Sequence, residues 1–342
     1  MKPIKAFLLL FFVSVLAQAQ DTQYSQFYSA PLYLNPAFTG ATQLTRVGTN
    51  YRNQWPALTA NYTTMSAYVD HFVDDKNLGI GLLINTDREG LAGLRSTLFG
   101  GQVSYQLPLT DRLTIRAGGQ AAYYLRNVDF SALTFGDQFD PTGFIGPTAE
   151  TIDPSAVKGF FDLAFGGLLY SENAWIGVAA HHLNRPNTSI VGGGVPLDRK
   201  WSYHAGYKFF LKSGVMGQGL FAKTQERSLA PTVQYKYMGP FSQMDLGLYY
   251  TFEPLVFGTW YRGLPFKKFE SFTNHESIVF LVGYTQKNKD NRLNIGYSYD
   301  FTISNLGASS GGAHEFSISY AWFTGDPRKP PKNVREIPCP NF

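Results

Sequence analysis

"NRLNIGYSYDF", residues 291–301, separates into two sets when alternate residues are read apart. Leu293, Ile295, Tyr297, Tyr299 and Phe301 form one set, and Arg292, Asn294, Gly296, Ser298 and Asp300 the other. Successive side chains of a strand point to opposite sides, so this period of two predicts a β-strand with one greasy and one polar face. The segment before the tail repeats the division, with Phe316, Ile318, Tyr320 and Trp322 against Glu315, Ser317, Ser319 and Ala321. Helical spacing is missing from both.

The pattern recurs upstream. Leu78, Ile80, Leu82 and Ile84 alternate with small or polar residues, as do Leu113, Ile115 and Ala117, then Ala121 and Tyr123, and Trp201 through Phe209. Less regular versions occupy 229–237, 244–252, 255–261 and 278–284. Turn-forming clusters such as Asp74-Asp75-Lys76-Asn77 and Met238-Gly239-Pro240 separate them. A conservative count gives about fourteen segments of roughly ten to fourteen residues, an even number of strands long enough to cross hydrocarbon at a tilt. Strands of a soluble sandwich average about half that length. The polar faces here are also rich in Gly and small residues, unlike a solvated Lys/Glu surface. Each unpaired backbone group in hydrocarbon costs several kcal/mol, and only a closed sheet leaves none. The expected fold is all-β: an outer-membrane type transmembrane β-barrel of about 14 antiparallel strands over residues 43–324.

Composition agrees. The 342-residue chain has 21 Tyr, 28 Phe and 34 Gly, with only 16% charged residues, against a soluble average of about 25%. A net charge of +4 without a basic run longer than Lys267-Lys268 gives no footprint for nucleic acid. The single cysteine, Cys339, excludes an internal disulfide. Lys2 and Lys5 precede the apolar run Phe7 to Leu16, and Ala17-Gln18-Ala19 follows, which reads as a signal peptide over residues 1–19. That run is too short for a membrane anchor, which needs roughly 20 apolar residues. Export to the outer membrane of a Gram-negative bacterium is expected.

Enzyme chemistry is not evident. His71, His181, His182, His204, His275 and His314 show no metal-site spacing, and adjacent His181 and His182 are expected to face opposite ways on a strand. His314 lies near Ser317 and Ser319, but nothing marks a nucleophile. Gly192-Gly193-Gly194 opens no helix, so it reads poorly as a phosphate cradle. Asp137, Asp140, Glu150 and Asp153 share a loop without the spacing of a calcium-binding hand, and read better as a solvated acidic loop. Catalytic residues, cofactor and metal are all expected to be none. The long connections Arg126 to Ala156 and Leu183 to Arg199, with Leu211 to Ser228 and Gly263 to Asn274, are candidates for the outer face or a lumen plug, or else plain surface loops.

Four segments resemble the PorP/SprF family of type IX secretion system outer-membrane proteins: "QYSQFYSAPLYLNPAFTG" (23–40), "YRNQWPAL" (51–58), "LNIGYSYDFTISNL" (293–306) and "GGAHEFSISYAW" (311–322). The ending "IPCPNF" is also of the family's type. The resemblance implies a fourteen-stranded barrel serving type IX export and gliding. It implies as partners a secreted cargo with a type B C-terminal domain and the periplasmic ring and peptidoglycan-linked parts of the machinery, besides outer-membrane lipid.

Pro31, Pro36, the Asn35 before it and Gly40 predict that the strap over residues 20–42 is extended and turned after Pro31, not helical. It is expected in the lumen or against the periplasmic rim, with Gln43 opening the first strand. Alternation sends Tyr51, Asn53 and Trp55 one way, toward lipid if the aromatics are belt anchors, and Arg52 and Gln54 inward to bond the strap. Asn35, Pro36, Arg46, Tyr51, Arg52, Asn53, Gln54, Trp55, Tyr297, Asp300, His314, Glu315 and Cys339 are the candidate residues, forming either a partner-binding surface or a plug and anchor for the N-terminus. The Pro-rich tail, residues 325–342, is expected to leave the sheet after Thr324 and run extended, reaching a partner up to roughly 50 Å away. Cys339 is either a redox or crosslinking thiol or a tail residue held against the rim. Two functions follow: an adaptor joining cargo to periplasmic machinery, or a channel for small or hydrophobic solutes.

Overall fold

The computed structural model describes residues 21–324 and 337–340, except 142, 150–156, 191–192, 195, 212–213, 217–222, 270–271 and 289–290. The signal peptide and most of the tail lie outside the described residues. Fourteen long strands run in chain order: β1 (Thr45–Gln54), β2 (Tyr62–Val73), β3 (Leu78–Glu89), β4 (Leu94–Thr110), β5 (Leu113–Asn127), β6 (Val157–Tyr170) and β7 (Ala174–His181). They continue as β8 (Lys200–Tyr207), β9 (Arg227–Met238), β10 (Phe241–Phe252), β11 (Leu255–Phe269), β12 (Phe272–Lys287), β13 (Asn291–Thr302) and β14 (Ala313–Trp322).

Each strand pairs antiparallel with the next, including β8 with β9 from Lys200↔Met238 to Gly206↔Thr232. β14 returns to β1, from Thr45↔Trp322 to Gln54↔Ala313, so the sheet closes. Closure satisfies the ladder groups that a lipid-facing edge would leave bare. No helix among the described residues is long and apolar enough to cross a membrane.

The two faces follow the alternation. In β4, Phe99, Val103, Tyr105 and Leu107 are exposed on the outside, while Leu98, Gln102, Ser104 and Gln106 are buried inside. Leu82 and Phe161, 62% and 70% exposed, are stable there only because the surrounding solvent is hydrocarbon. Long connections at residues 128–156 and 182–199 leave one end of the barrel, and the other carries short turns such as 111–112 and 253–254 together with the start of β1 and the end of β14. Long loops are extracellular and short turns periplasmic in such barrels.

Two loop expectations change. The connection from β8 to β9 falls at the short-turn end, where β8 finishes, while residues 212–213 and 217–222 of it lie outside the described residues. Residues 263–274 are largely strand: β11 and β12 stay paired past register shifts at Arg262/Gly263 and Leu264/Lys268.

Eight strands close around an interior that side chains fill, whereas sixteen leave an aqueous channel. Fourteen leave space for an occupant, which is the strap. Residues 24–42 are all buried. The expectation of a non-helical strap is wrong locally: Pro31–Leu34 form one α-helical turn, α1, and Pro36–Phe38 a 3₁₀ turn. Proline at the start of each costs nothing there, since the missing N–H would be unsatisfied in any case. Asn35 between them is extended, and its side chain accepts the Ala37 N–H. Gln43, at φ 59°, turns the chain before β1 opens at Thr45.

Of the tail, only residues 337–340 are described. Ile337 and Cys339, each 4% exposed, pack in the short-turn mouth with Tyr28, Phe38 and Ala41 of the strap. Burying apolar side chains against the strap holds this end of the tail in the barrel, not out in the periplasm.

Candidate functional site

Three sets of contacts hold the strap in the lumen. Nearest the long-loop end, Asp21 pairs with the Lys200 ammonium at the start of β8, and its carboxylate lies 3.6 Å from His182 Nε2. His182 Nδ1 lies 2.9 Å from Asp162, and Lys200 Nζ sits 4.5 Å from the Tyr33 ring centroid.

The second set is a buried charge cluster at Ser25 and Gln26. The Ser25 and Gln26 N–H groups donate to the Glu315 carboxylate at 2.6 and 3.1 Å. Ser25 Oγ donates to Asp300 at 2.5 Å, and Arg52 and Arg262 meet the same carboxylate at 3.0 and 2.8 Å. Arg262 also holds Asp245 at 2.7 Å. The Gln26 amide donates to Ser298 Oγ and to the Glu315 carbonyl, and its oxygen accepts from Ser317. Charges this far from water persist only when paired and hydrogen-bonded, and removing one partner of such a pair costs about 3–5 kcal/mol. The cluster therefore specifies where Ser25 must sit.

Toward the short-turn end, the turn Asn35–Gly40 presses on β2 to β7. Asn35 Nδ2 donates to the Gly167 and Val178 carbonyls at 3.1 and 3.0 Å. Arg116 Nε donates to the Ala37 carbonyl at 3.0 Å, Ser104 Oγ to the Thr39 carbonyl at 2.6 Å, and the Gly40 N–H to Asp70 at 2.6 Å. Arg46 holds Asp70 at 2.8 Å. Glycine in the wall is what allows this approach: a Cβ at Gly79 would stand 2.1 Å from the Thr39 carbonyl oxygen, and one at Gly118 2.5 Å from that of Pro36. Between the polar sets, Phe27, Tyr28 and Phe38 pack with Trp175, Tyr249 and Trp260, and Trp175 Nε1 donates to Tyr28 Oη at 2.7 Å. Each such buried side chain contributes about 1.5–3 kcal/mol.

The candidate residues fall into three places. Asn35, Pro36, Arg46, Arg52, Asp300 and Glu315 are brought together on the strap and the lumen wall. Gln54 accepts from Arg52 at 2.9 Å. Tyr51 and Tyr297 are on the exposed outer face, where Tyr297 Oη lies 2.9 Å from Nδ1 of half-buried His314. Trp55, at φ 57°, is past the end of β1 with its ring against Tyr62, and Asn53 is half-buried. Cys339 is in the short-turn mouth, where burial pushes its thiol up to about 12.

His181 and His182 do not face opposite ways. His182 adopts φ 58° just past β7, which breaks the alternation and buries both rings. Among the described residues no three metal-capable side chains come together. Asp137 accepts the Ala149 N–H and the Thr148 hydroxyl within its own loop, and these bonds hold its carboxyl below the usual range; Glu150 and Asp153 lie outside the described residues. Asp21, Lys200, Arg116, Arg262 and Asp245 were not singled out in the sequence. The signal that finds Arg116 and Arg262 is the one that found Arg52: an arginine in the polar phase of a strand.

Known proteins give the following likenesses. The Ralstonia pickettii toluene transporter TbuX is 12% identical, with a TM-score of 0.46 over 86% of this chain and 93% of that one. A Pseudomonas aeruginosa FadL homologue is 11% identical, with a TM-score of 0.43 over 85% and 93%. No curated protein matches the sequence. The family described as type IX secretion system membrane protein PorP/SprF matches residues 16–320, and the chain belongs to that family of outer-membrane proteins.

Proposed function

We propose that the barrel is a sealed adaptor of type IX secretion, binding an exported cargo that carries a type B C-terminal domain and linking it to periplasmic machinery. The observation that carries the reading is the filled lumen. Strap residues 24–42 are all buried, and hydrogen bonds from residues 21–40 reach β1 to β8 and β11 to β14. A conduit for solutes needs that space. The cargo side is assigned to the long-loop end, where a short hairpin pairs Phe139 with Phe144 and leaves Phe139, Phe144 and Ile145 49–65% exposed. Exposed apolar clusters on a loop mark interaction sites.

Deleting the protein from cells tests the reading. Surface display of one large cargo should disappear while bulk type IX export continues. Unchanged display of every cargo would overturn it.

A further inference from the structure

At the short-turn mouth a cavity of about 220 Å³ opens beside the tail. Phe210, Val256 and Pro338 give it apolar walls, and Lys208, Glu226 and Arg292 place both signs of charge around it. Lys208 Nζ holds Glu226 at 3.0 Å. Its volume falls below the roughly 300–1,000 Å³ of pockets that enclose drug-sized ligands, which suits one or two side chains.

The tail shows what this mouth accepts. Ile337, Pro338, Cys339 and Pro340 are all buried, Ile337 and Cys339 in the apolar cluster that holds Tyr28, Phe38 and Ala41 of the strap. The mouth already seats a Pro-containing peptide segment of this chain, and the cavity continues that seat, sharing Ile337, Pro338, Cys339 and Pro340 as one wall.

We propose that this cavity is a docking site for an extended peptide segment of a protein on the periplasmic side, laid beside the tail. An apolar side chain of that segment enters between Phe210 and Val256, and its flanking polar groups meet the mixed charges at the rim. A folded element is too wide for the space, and a uniformly charged segment would oppose half of the rim. The proposal rests on the adaptor reading and narrows it to one surface.

Site-specific photocrosslinking in cells tests it, with benzoylphenylalanine in place of Phe210 and, as a control, of Phe144 on the outer hairpin. The expected result is an adduct at 210 whose crosslinked peptide maps to a linear segment of one periplasmic protein. Filling the cavity with Thr251→Trp, or truncating the chain before Ile337, should reduce that adduct to background while the barrel keeps its heat-modifiable migration. Three results would overturn it: an adduct only within the chain itself, one undiminished by Thr251→Trp, or none at 210 while 144 crosslinks. If cargo display still depends on the protein in any of these cases, the cavity assignment fails and the adaptor reading stands.

Discussion

Tyr297 and Ser298 are adjacent in β13 and meet different surroundings. Tyr297 faces lipid, and an arginine there should cost about 2–4 kcal/mol if it lies near the bilayer midplane. From the alternation alone, Ser298 belongs to a wet lumen and should accept arginine more readily. It is instead fully buried beneath Gln26, which donates to its hydroxyl at 3.2 Å. Ser298→Arg would bury a new charge beside Arg52 and Arg262, so it should be the more damaging of the two. Denaturant titration of the folded, heat-modifiable band in lipid vesicles would order them, and greater tolerance at Ser298 would contradict the buried strap.

Cys339 reports on the tail in the same way. Burial raises its thiol to about 12. A raised thiol leaves tail docking undisturbed below about pH 9 and weakens it as pH climbs toward 12, because ionisation is easier in the undocked tail. Maleimide at pH 8 should therefore label the native protein far more slowly than the denatured one. Equal rates would place the thiol outside the mouth.

At the scale of elements, the strands were legible and the strap's position was not. A strand announces itself by period two, because a barrel wall separates two environments at every step, and β13 and β14 do so over their full length. The strap has no such period. Its residues touch different strands one after another, and nothing local in "PLYLNPAFTG" distinguishes a lumen from a rim. Two local rules also hid parts of the site. Proline argues against helix locally, yet it opens both short turns, and alternation turns His182 away from His181, although its left-handed backbone ends the strand.

The strap's two halves differ in kind. Asp21–Gln26 meet charged wall residues through side chains as well as N–H groups, whereas Asn35–Gly40 offer mainly backbone groups, to Arg116, Ser104 and Asp70, and rest on a wall thinned at Gly79 and Gly118. Gly118→Val should force the turn off β5, at a cost of about 1–3 kcal/mol typical of overpacking, and raise hydrogen exchange at residues 35–40. Unchanged exchange would mean that the turn does not rest on this wall.

For the whole molecule, closure and plugging are coupled. The sheet has no open edge among the described residues, and its circumference leaves a lumen that the chain fills, the strap through the length of the barrel and residues 337–340 of the tail at the short-turn mouth. The number of strands could be counted from the sequence, but the occupancy of the lumen could not, since lumen-facing Gly, Ser and Asn suit water and a tightly packed strap equally. Membership of a secretion family and a filled lumen both support the adaptor proposed above.

Conductance in planar bilayers tests that claim most directly, comparing the mature chain with a form lacking residues 24–42. The mature chain should be nearly silent, and the deleted form, if it retains heat-modifiable migration, should conduct steadily. Steady conductance through the mature chain would contradict the sealed barrel.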